Sequence, residues 1–163
     1  MAAHIDMFPT LLEACGVKVP PVKLDGLSLL PLLTGAVKEL PERTVFFQWH
    51  RGDTPELFRD CAARTQKFKL VNGKELYDLE TDPAEAKNIA AEKPEIAAKL
   101  RAEYETWFKD VSSTRGYAPV RIFIGTEHEN PVSLSRQDWR GPLAAWSPKA
   151  LGYWEVDVKR TGN

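Results

Sequence analysis

The clearest hydrophobic pattern in the chain lies between Pro94 and Val111, where apolar side chains recur at helical spacing. They follow one another at intervals of four, four, three, one and three positions, at Ile96, Leu100, Tyr104, Trp107, Phe108 and Val111. Such spacing places the side chains on one face of an α-helix. We therefore predict one long amphipathic helix that packs this face against a core, with Pro94 in its first turn.

Upstream of this helix, shorter segments have the β-branched and aromatic composition of strands. Residues 44–50 predict a strand long enough to be central in a sheet, and residues 61–71 predict one interrupted strand or two paired ones. The dipeptide Asn72-Gly73 is a strong signal for a hairpin turn, after which residues 74–79 return as the partner strand. Because strands joined by tight turns pair antiparallel, we expect a small antiparallel sheet with the long helix as its cover.

The regions on either side of the sheet and helix have different patterns. The lead-in predicts a helix capped by Asp6 and ended by Gly16, then a short leucine-rich helix at 29–33 that must lie against a core. The tail contains strand-like segments at 120–125 and 152–158, with no helical stripe between them and no strand after the second. Since two or three short strands do not make a stable sheet, the tail predicts an incomplete β-rich unit.

The fold class that these elements predict is α+β. It consists of a helical lead-in, a small antiparallel sheet covered by one long C-terminal helix, and an incomplete β-rich tail. These elements divide the chain into the lead-in at 1–39, the sheet and helix at 40–112, and the tail at 117–163. The residues between the last two regions have the small and polar composition of a linker.

Composition and charge exclude several classes of function. The 163 residues are 43% hydrophobic and 28% charged, an ordinary balance for a globular protein. Lys and Arg number 22 against 23 Asp and Glu, so the chain has no overall basic field for binding nucleic acid. No apolar run approaches the length of a membrane span, and the first residues lack the basic and apolar regions of a signal peptide.

Residues that could carry chemistry are few. Cys15 and Cys61 are far apart and outside any zinc pattern, and we favour two separately buried thiols over a disulfide. The three histidines lack metal-binding spacing, and the sequence contains no phosphate-binding loop, dinucleotide fingerprint, zinc-protease motif or nucleophile elbow. The acidic residues between 75 and 82 are better explained by a solvated sheet edge than by an acid–base pair.

Several short phrases nevertheless occur in a fixed order along the chain. One group resembles the closing segment of the main domain of type I sulfatases: His4–Leu12, Gly16 and Asp25–Gly35. A second group resembles the C-terminal subdomain of the same family: Lys67–Val71, Glu75–Leu79, Asp82, Pro83, Glu85 and Asn88. Each phrase alone is weak, but all of them in order make a specific match from residue 4 to about residue 111. The tail is similar to a β-rich appendage of some bacterial sulfatases.

The resemblance implies that this chain is the C-terminal part of a sulfatase, which completes the fold and lines one wall of the substrate cleft. Type I sulfatases hydrolyse sulfate esters with calcium and a formylglycine made from the Cys or Ser of a C-x-P-x-R-like motif. Neither Cys15 nor Cys61 lies in such a motif, and the family's calcium ligands precede the matched region. We therefore expect no cofactor in this chain, no activity of the chain alone, and a missing N-terminal sulfatase domain as its partner.

The same resemblance implies a sulfated sugar or an aryl sulfate as the substrate of the parent enzyme. Proteins of this family are often exported to the periplasm or the cell exterior, but the chain itself does not fix a location. One alternative is the same region of a related phosphoesterase or phosphonate hydrolase, because the nucleophile motif that discriminates between them is absent. The other is a non-catalytic carbohydrate-binding module, which exposed and coplanar tail tryptophans would favour.

One segment is a candidate for contact with substrate. Trp49, His50 and Arg51 follow the first predicted strand and open a loop, where functional side chains often lie. An aromatic ring beside a cation suits stacking on a sugar or aryl ring and binding of an anionic sulfate. The competing interpretation is that Trp49 belongs to the core and that the two residues after it are ordinary loop polars.

Overall fold

A computed structural model describes residues 1–50, 52, 54–114 and 116–160, which form two compact units, Met1–Gly116 and Tyr117–Asn163. The helical elements of the first unit are a 3₁₀ turn at His4–Asp6, α1 (Met7–Ala14), α2 (Leu30–Leu33) and α3 (Pro94–Ser113). Its strands are β1 (Val45–Gln48), β2 (Cys61–Arg64), β3 (Phe68–Val71) and β4 (Glu75–Asp78). The second unit contains β5 (Ile122–Ile124), a 3₁₀ turn at Arg136–Asp138 and β6 (Val156–Val158).

The four strands of the first unit form an antiparallel sheet in the order β1-β2-β3-β4, which confirms the predicted sheet. Residues 61–71 form two paired strands rather than one interrupted strand. At the predicted hairpin turn, Asn72 and Gly73 both have positive φ, 51° and 66°, and the Lys74 amide donates to the Val71 carbonyl over 2.9 Å. Both angles fit a two-residue turn that matches the twist of the strands, which explains why Asn-Gly occurs here.

The expectation that the first strand is central is wrong for the described part of the chain. β1 lies at one edge and pairs with β2 alone. Phe47 in this strand is 42% exposed, although Val45 is buried. The composition of a strand does not by itself show whether the strand lies at the edge or in the centre of a sheet.

Helix α3 covers one face of the sheet, as predicted. Leu100 and Tyr104 on the helix are almost fully buried with Leu70 and Leu76 on the two hairpin strands. On the same face, the Phe46 ring stacks on Trp107 with the ring centroids 5.2 Å apart, and Val111 at the end of the stripe is more exposed, at 38%. The core therefore lies between the middle of α3 and the sheet.

Asp6 does not cap α1, contrary to the sequence prediction. The 3₁₀ turn already gives Asp6 helical backbone angles, and its side chain makes no N-cap hydrogen bond to α1. Its buried carboxylate instead pairs with the Arg43 guanidinium and accepts hydrogen bonds from the amides of Ala3 and Leu27. This cluster joins α1 to the segment before α2 and to the entry of β1, over 37 residues of sequence.

A second contact in the lead-in requires glycine at position 26. A Cβ atom on Gly26 would lie 2.0 Å from the Ile5 carbonyl oxygen, far inside van der Waals contact. Next to it, the Thr10 hydroxyl donates to the Asp6 carbonyl over 2.6 Å and accepts from the Leu29 amide over 2.9 Å. The segment around Gly26 therefore packs directly on the backbone before α1, which explains why glycine occurs at this position.

The leucine-rich helix is present but shorter than predicted, and the expected core beneath it is not provided by the described residues. No residue of α2 is buried, and Leu33 is 71% exposed. On α1, Met7, Phe8 and Leu11 are each more than half exposed. The first unit therefore carries an uncovered apolar surface formed by α1 and α2, which we call the α1–α2 surface.

The second unit is small and partly irregular. β5 and β6 are parallel and three residues long, shorter than the predicted strands at 120–125 and 152–158. Tyr153, inside the second of these ranges, forms an antiparallel bridge to Arg140 instead. The Trp139 and Trp154 rings pack edge to face at 71° with their centroids 5.7 Å apart.

The cysteines are both free, and the expectation that both thiols are buried is wrong for Cys15, which is exposed. Cys15 follows the last residue of α1, on a helix whose apolar side is largely uncovered. Among the described helices, none is long and apolar enough to cross a membrane.

Candidate functional site

The candidate segment lies at the end of the edge strand β1. Trp49 and His50 are both exposed, Trp49 at 57%, so Trp49 is not part of the core of this unit. The Trp49 amide donates to the Asp60 carbonyl over 2.9 Å and thereby continues the pairing of β1 with β2 by one residue. Arg51, the third residue of the prediction, lies outside the described residues.

Trp49 extends an apolar row on the sheet face opposite α3. Side chains alternate along a strand, so Phe47 and Trp49 project from one side while Phe46 projects toward the helix. In the register of the sheet, Phe47 lies beside Ala62, and Ala62 lies beside Val71. We call these four residues, Phe47, Trp49, Ala62 and Val71, the open face. An exposed ring next to apolar strand residues can stack on the flat face of a sugar or aryl group.

Gln48 fixes the base of the connection between β1 and β2. Its side-chain amide donates to the carbonyls of Trp49 and Arg59, at 2.9 Å each, and its Oε1 accepts from the Tyr104 hydroxyl. The sequence patterns placed Gln48 in a strand and Tyr104 on the apolar face of the long helix, but they did not predict this contact between the two. The sequence did contain a sign of this role. Gln48 lies on the same side of the strand as Phe46, which faces α3, and a side-chain amide on that side needs hydrogen-bond partners inside the fold.

The return half of this connection has an unusual backbone. Phe58 and Asp60 have positive φ, 61° and 51°, a conformation that costs non-glycine residues about 1–3 kcal/mol. The Phe58 ring packs against Tyr104 with centroids 5.3 Å apart, and the Arg101 guanidinium lies 3.9 Å from the Phe58 centroid. Arg101 also donates to the Gly73 carbonyl over 2.7 Å. The contacts to α3 and the hairpin turn therefore hold a backbone that would otherwise relax.

Several ionisable groups outside this segment have structural roles. The hydrogen bond from Arg43 is the main cause that lowers the pKa of Asp6 from 3.8 to about 2. Burial raises the pKa of the Cys61 thiol, the opposite of what a nucleophilic cysteine requires. At the acidic end of β4, Lys67 pairs with Glu80 over 2.5 Å, and Asp82 accepts from the Lys87 amide over 2.8 Å.

The metal chemistry that the sulfatase resemblance implies finds no ligand set in the part of the chain that the structure describes. No group of three or more His, Cys, Asp or Glu side chains there is placed to hold a metal ion. The described residues therefore do not fit a calcium site.

A groove of about 1130 Å³ runs beside α3, on the other side of the sheet from Trp49. Its apolar floor includes Phe46 and Trp107, but its rim carries charges of both signs. Across it Lys23 pairs with Asp110 over 2.5 Å, and the Thr44 hydroxyl donates to Glu103 over 2.6 Å. Because carboxylates match the cationic side chains in number along its lining, the groove has no cationic surplus for a sulfate group.

Two of the tail tryptophans, Trp139 and Trp154, do not form a flat binding platform. Trp139 and Trp154 pack edge to face on each other, and Trp146 is 71% exposed. Coplanar exposed rings were the sequence-based condition that would favour a carbohydrate-binding module, and this pair does not meet it.

Comparison with known proteins identifies the family. The family model of the C-terminal region of N-sulphoglucosamine sulphohydrolase matches residues 1–110, about two-thirds of the chain. The chain belongs to this sulfatase family. The sulfatase resemblance drawn from the sequence phrases is therefore confirmed.

Individual relatives agree with the family. The chain is 32% identical over 111 residues to the Delta 4,5-hexuronate-2-O-sulfatase of Bacteroides thetaiotaomicron, a match that covers 65% of this chain and 22% of that protein. It is 34% identical over 177 residues to mouse arylsulfatase K, covering 92% of this chain and 31% of that protein. The solved structure of a 2-O GAG sulfatase matches with a TM-score of 0.52 and 29% identity, over 66% of this chain and 25% of that one. The chain thus spans less than a third of the length of these relatives.

Proposed function

We propose that this chain acts as the C-terminal part of a sulfuric ester hydrolase, where it completes the fold and lines one wall of the substrate cleft. Membership of the sulfatase family supports the enzyme class, and the names of its relatives support a sulfated sugar as the substrate class. Hydrolysis itself needs an activated nucleophile and a metal to take the sulfate charge. In this proposal both come from another part of the enzyme, and this chain contributes binding and orientation.

The observation that carries the cleft assignment is the exposed Trp49 beside His50 at the end of β1. The indole offers a flat apolar surface to a sugar ring, and the imidazole can donate a hydrogen bond to a sulfate oxygen. Arg51 adds a permanent charge suited to the same anion, as the sequence predicts. A ring and two donors in adjacent positions can bind a sugar and its sulfate group together.

The uncovered α1–α2 surface supports a sulfatase main domain as the partner of this chain. Phe8, Leu11 and Leu33 are each more than half exposed here. Burying a large apolar side chain stabilises a protein by about 1.5–3 kcal/mol relative to leaving it exposed. Three such side chains on neighbouring helices make a surface that a large partner domain would stabilise by covering it.

The cleft assignment is tested by titrating the 163-residue chain with N-acetylglucosamine 6-sulfate. We expect weak binding, with a Kd of about 1 mM, because only one wall of the cleft is present. Trp49→Ala should weaken binding at least tenfold, whereas Trp146→Ala, which removes an exposed tryptophan from the other unit, should leave the Kd unchanged. Equal isotherms for the wild type and Trp49→Ala would refute the assignment.

Two further ligands separate the sulfatase from its alternatives. Binding of N-acetylglucosamine 6-phosphate more tightly than the sulfate would favour a phosphoesterase, and equal binding of unsulfated N-acetylglucosamine would favour a carbohydrate-binding module.

The purified chain should not hydrolyse a chromogenic aryl sulfate above the blank. Hydrolysis by chain freed from host sulfatases would contradict the proposed dependence on another domain.

A further inference from the structure

We infer that Gln48 and Tyr104 form a positioning pair that holds the Trp49-His50 segment in the orientation needed for substrate. The inference rests on the proposed cleft function and adds two residues that do not themselves touch the substrate. The evidence is the hydrogen-bond network at the base of the β1–β2 connection. There the Gln48 side chain donates to a carbonyl on each side of the connection, at Trp49 and at Arg59.

The hydrogen-bonding groups of Gln48 are all used in this network. Its two N–H groups reach the carbonyls of Trp49 and Arg59 at 2.9 Å each, and its oxygen accepts from the Tyr104 hydroxyl. An apolar side chain at this position would suit the helix-facing side of β1 equally well, because its neighbour at position 46 is Phe. The amide is therefore explained by the two carbonyls, which bring the outgoing and returning chain together.

Tyr104 connects this network to the rigid part of the fold. It is 1% exposed in the core of α3, so its own position is fixed by packing. Its hydroxyl donates to Gln48 on the outgoing side, and its ring contacts Phe58 on the returning side. One buried residue thus contacts both sides of the connection that carries Trp49.

The positive φ values of Phe58 and Asp60 show that the returning part of the connection is held against a conformational cost. A segment held in one conformation loses less entropy when a ligand binds, so preorganisation raises affinity without a new contact. Loss of the Gln48 network should therefore loosen Trp49 and His50 and weaken sugar binding, although neither residue has changed.

The test uses Gln48→Met, which keeps the length of the side chain and removes all its hydrogen bonds. Tyr104→Phe is a second variant that removes one hydroxyl and keeps the ring on Phe58. Ile96→Ala is the control, because it truncates the same core at the other end of α3. Each protein is measured for urea midpoint, for amide hydrogen exchange at Trp49, and for binding of N-acetylglucosamine 6-sulfate.

We expect Gln48→Met to speed exchange of the Trp49 amide and to raise the Kd, each by about tenfold. Tyr104→Phe should produce smaller changes in the same direction. Ile96→Ala should lower the urea midpoint the most and leave both other measurements unchanged, which separates positioning from general stability.

The outcomes distinguish this inference from the proposed function. If Trp49→Ala weakens binding but Gln48→Met and Tyr104→Phe do not, the positioning pair is refuted and the cleft assignment stands. If Ile96→Ala raises the Kd as much as Gln48→Met does, the effect is general and the inference is again refuted. If the wild type does not bind the sulfated sugar, the cleft assignment fails and the positioning role fails with it.

Discussion

Asp6→Asn should destabilise the first unit by about 3 kcal/mol at neutral pH, because it removes one partner of a buried ion pair. The Asp6 carboxylate is fully buried and accepts hydrogen bonds from Arg43, Ala3 and Leu27. The Arg43 side chain is 14% exposed, so the substitution leaves a guanidinium with little access to water and no carboxylate. An asparagine of the same shape retains an acceptor oxygen but not the charge.

The pH dependence of this loss follows from the pKa of Asp6, which falls from 3.8 to about 2 in the folded chain. A carboxylate with a lowered pKa stabilises the folded state above its unfolded pKa, and that contribution is lost as the pH falls through the folded pKa. The shift corresponds to about 2 kcal/mol at 1.36 kcal/mol per unit. The difference between the wild type and Asp6→Asn should therefore be full at pH 7 and shrink between about pH 4 and pH 2.

Urea unfolding at pH 7, 4 and 2.5 measures this difference directly. Asp25→Asn, an exposed aspartate in the same lead-in, is the control and should change stability at pH 7 by less than about 0.5 kcal/mol. Arg43→Met should cost about as much as Asp6→Asn, and the double variant should cost less than the sum. A deficit of Asp6→Asn that is equal at pH 7 and pH 2.5 would refute the ionic origin of the contact.

Two other substitutions test the packing. Leu100→Ala should lower the free energy of unfolding by about 2–5 kcal/mol, because Leu100 is 1% exposed under the sheet; Leu33→Ala, at a 71% exposed position, is the matched control with little change in its urea midpoint. Gly26→Ala should destabilise the lead-in, since its Cβ would lie 2.0 Å from the Ile5 carbonyl oxygen. We expect faster hydrogen exchange in α1 and unchanged exchange in the β3–β4 hairpin. An unchanged exchange rate in α1 would contradict the close approach.

The elements that sequence predicted well are those whose determinants are local. The Asn72-Gly73 turn joins neighbouring strands, and the α3 stripe repeats within a single helix, so a short window contains the whole signal. The edge position of β1 was missed because strand order depends on which segments pair, not on the composition of one strand.

The candidate site shows the same division. Trp49 and His50 were found because an aromatic residue and a polar ring follow a strand and precede loop residues. The role of Gln48 depends on Arg59, eleven residues later, and on Tyr104 in α3, 56 residues later. Asp6 was likewise assigned to a local cap, although its main partner is 37 residues away. A buried polar group is assigned correctly once its partners are known, and they are usually distant in sequence.

The exposed leucines of α2 are explained by the proposed partner domain. Their density predicted a core, and the described residues of this chain do not bury them. Hydrophobic spacing predicts which side chains are suited to burial, whereas the structure shows which of them this chain buries by itself. Predicted and observed burial differ on α1 and α2, but they agree on α3. The proposed partner, a sulfatase main domain packed on α1 and α2, would bury these leucines and so supply the core that their density predicts.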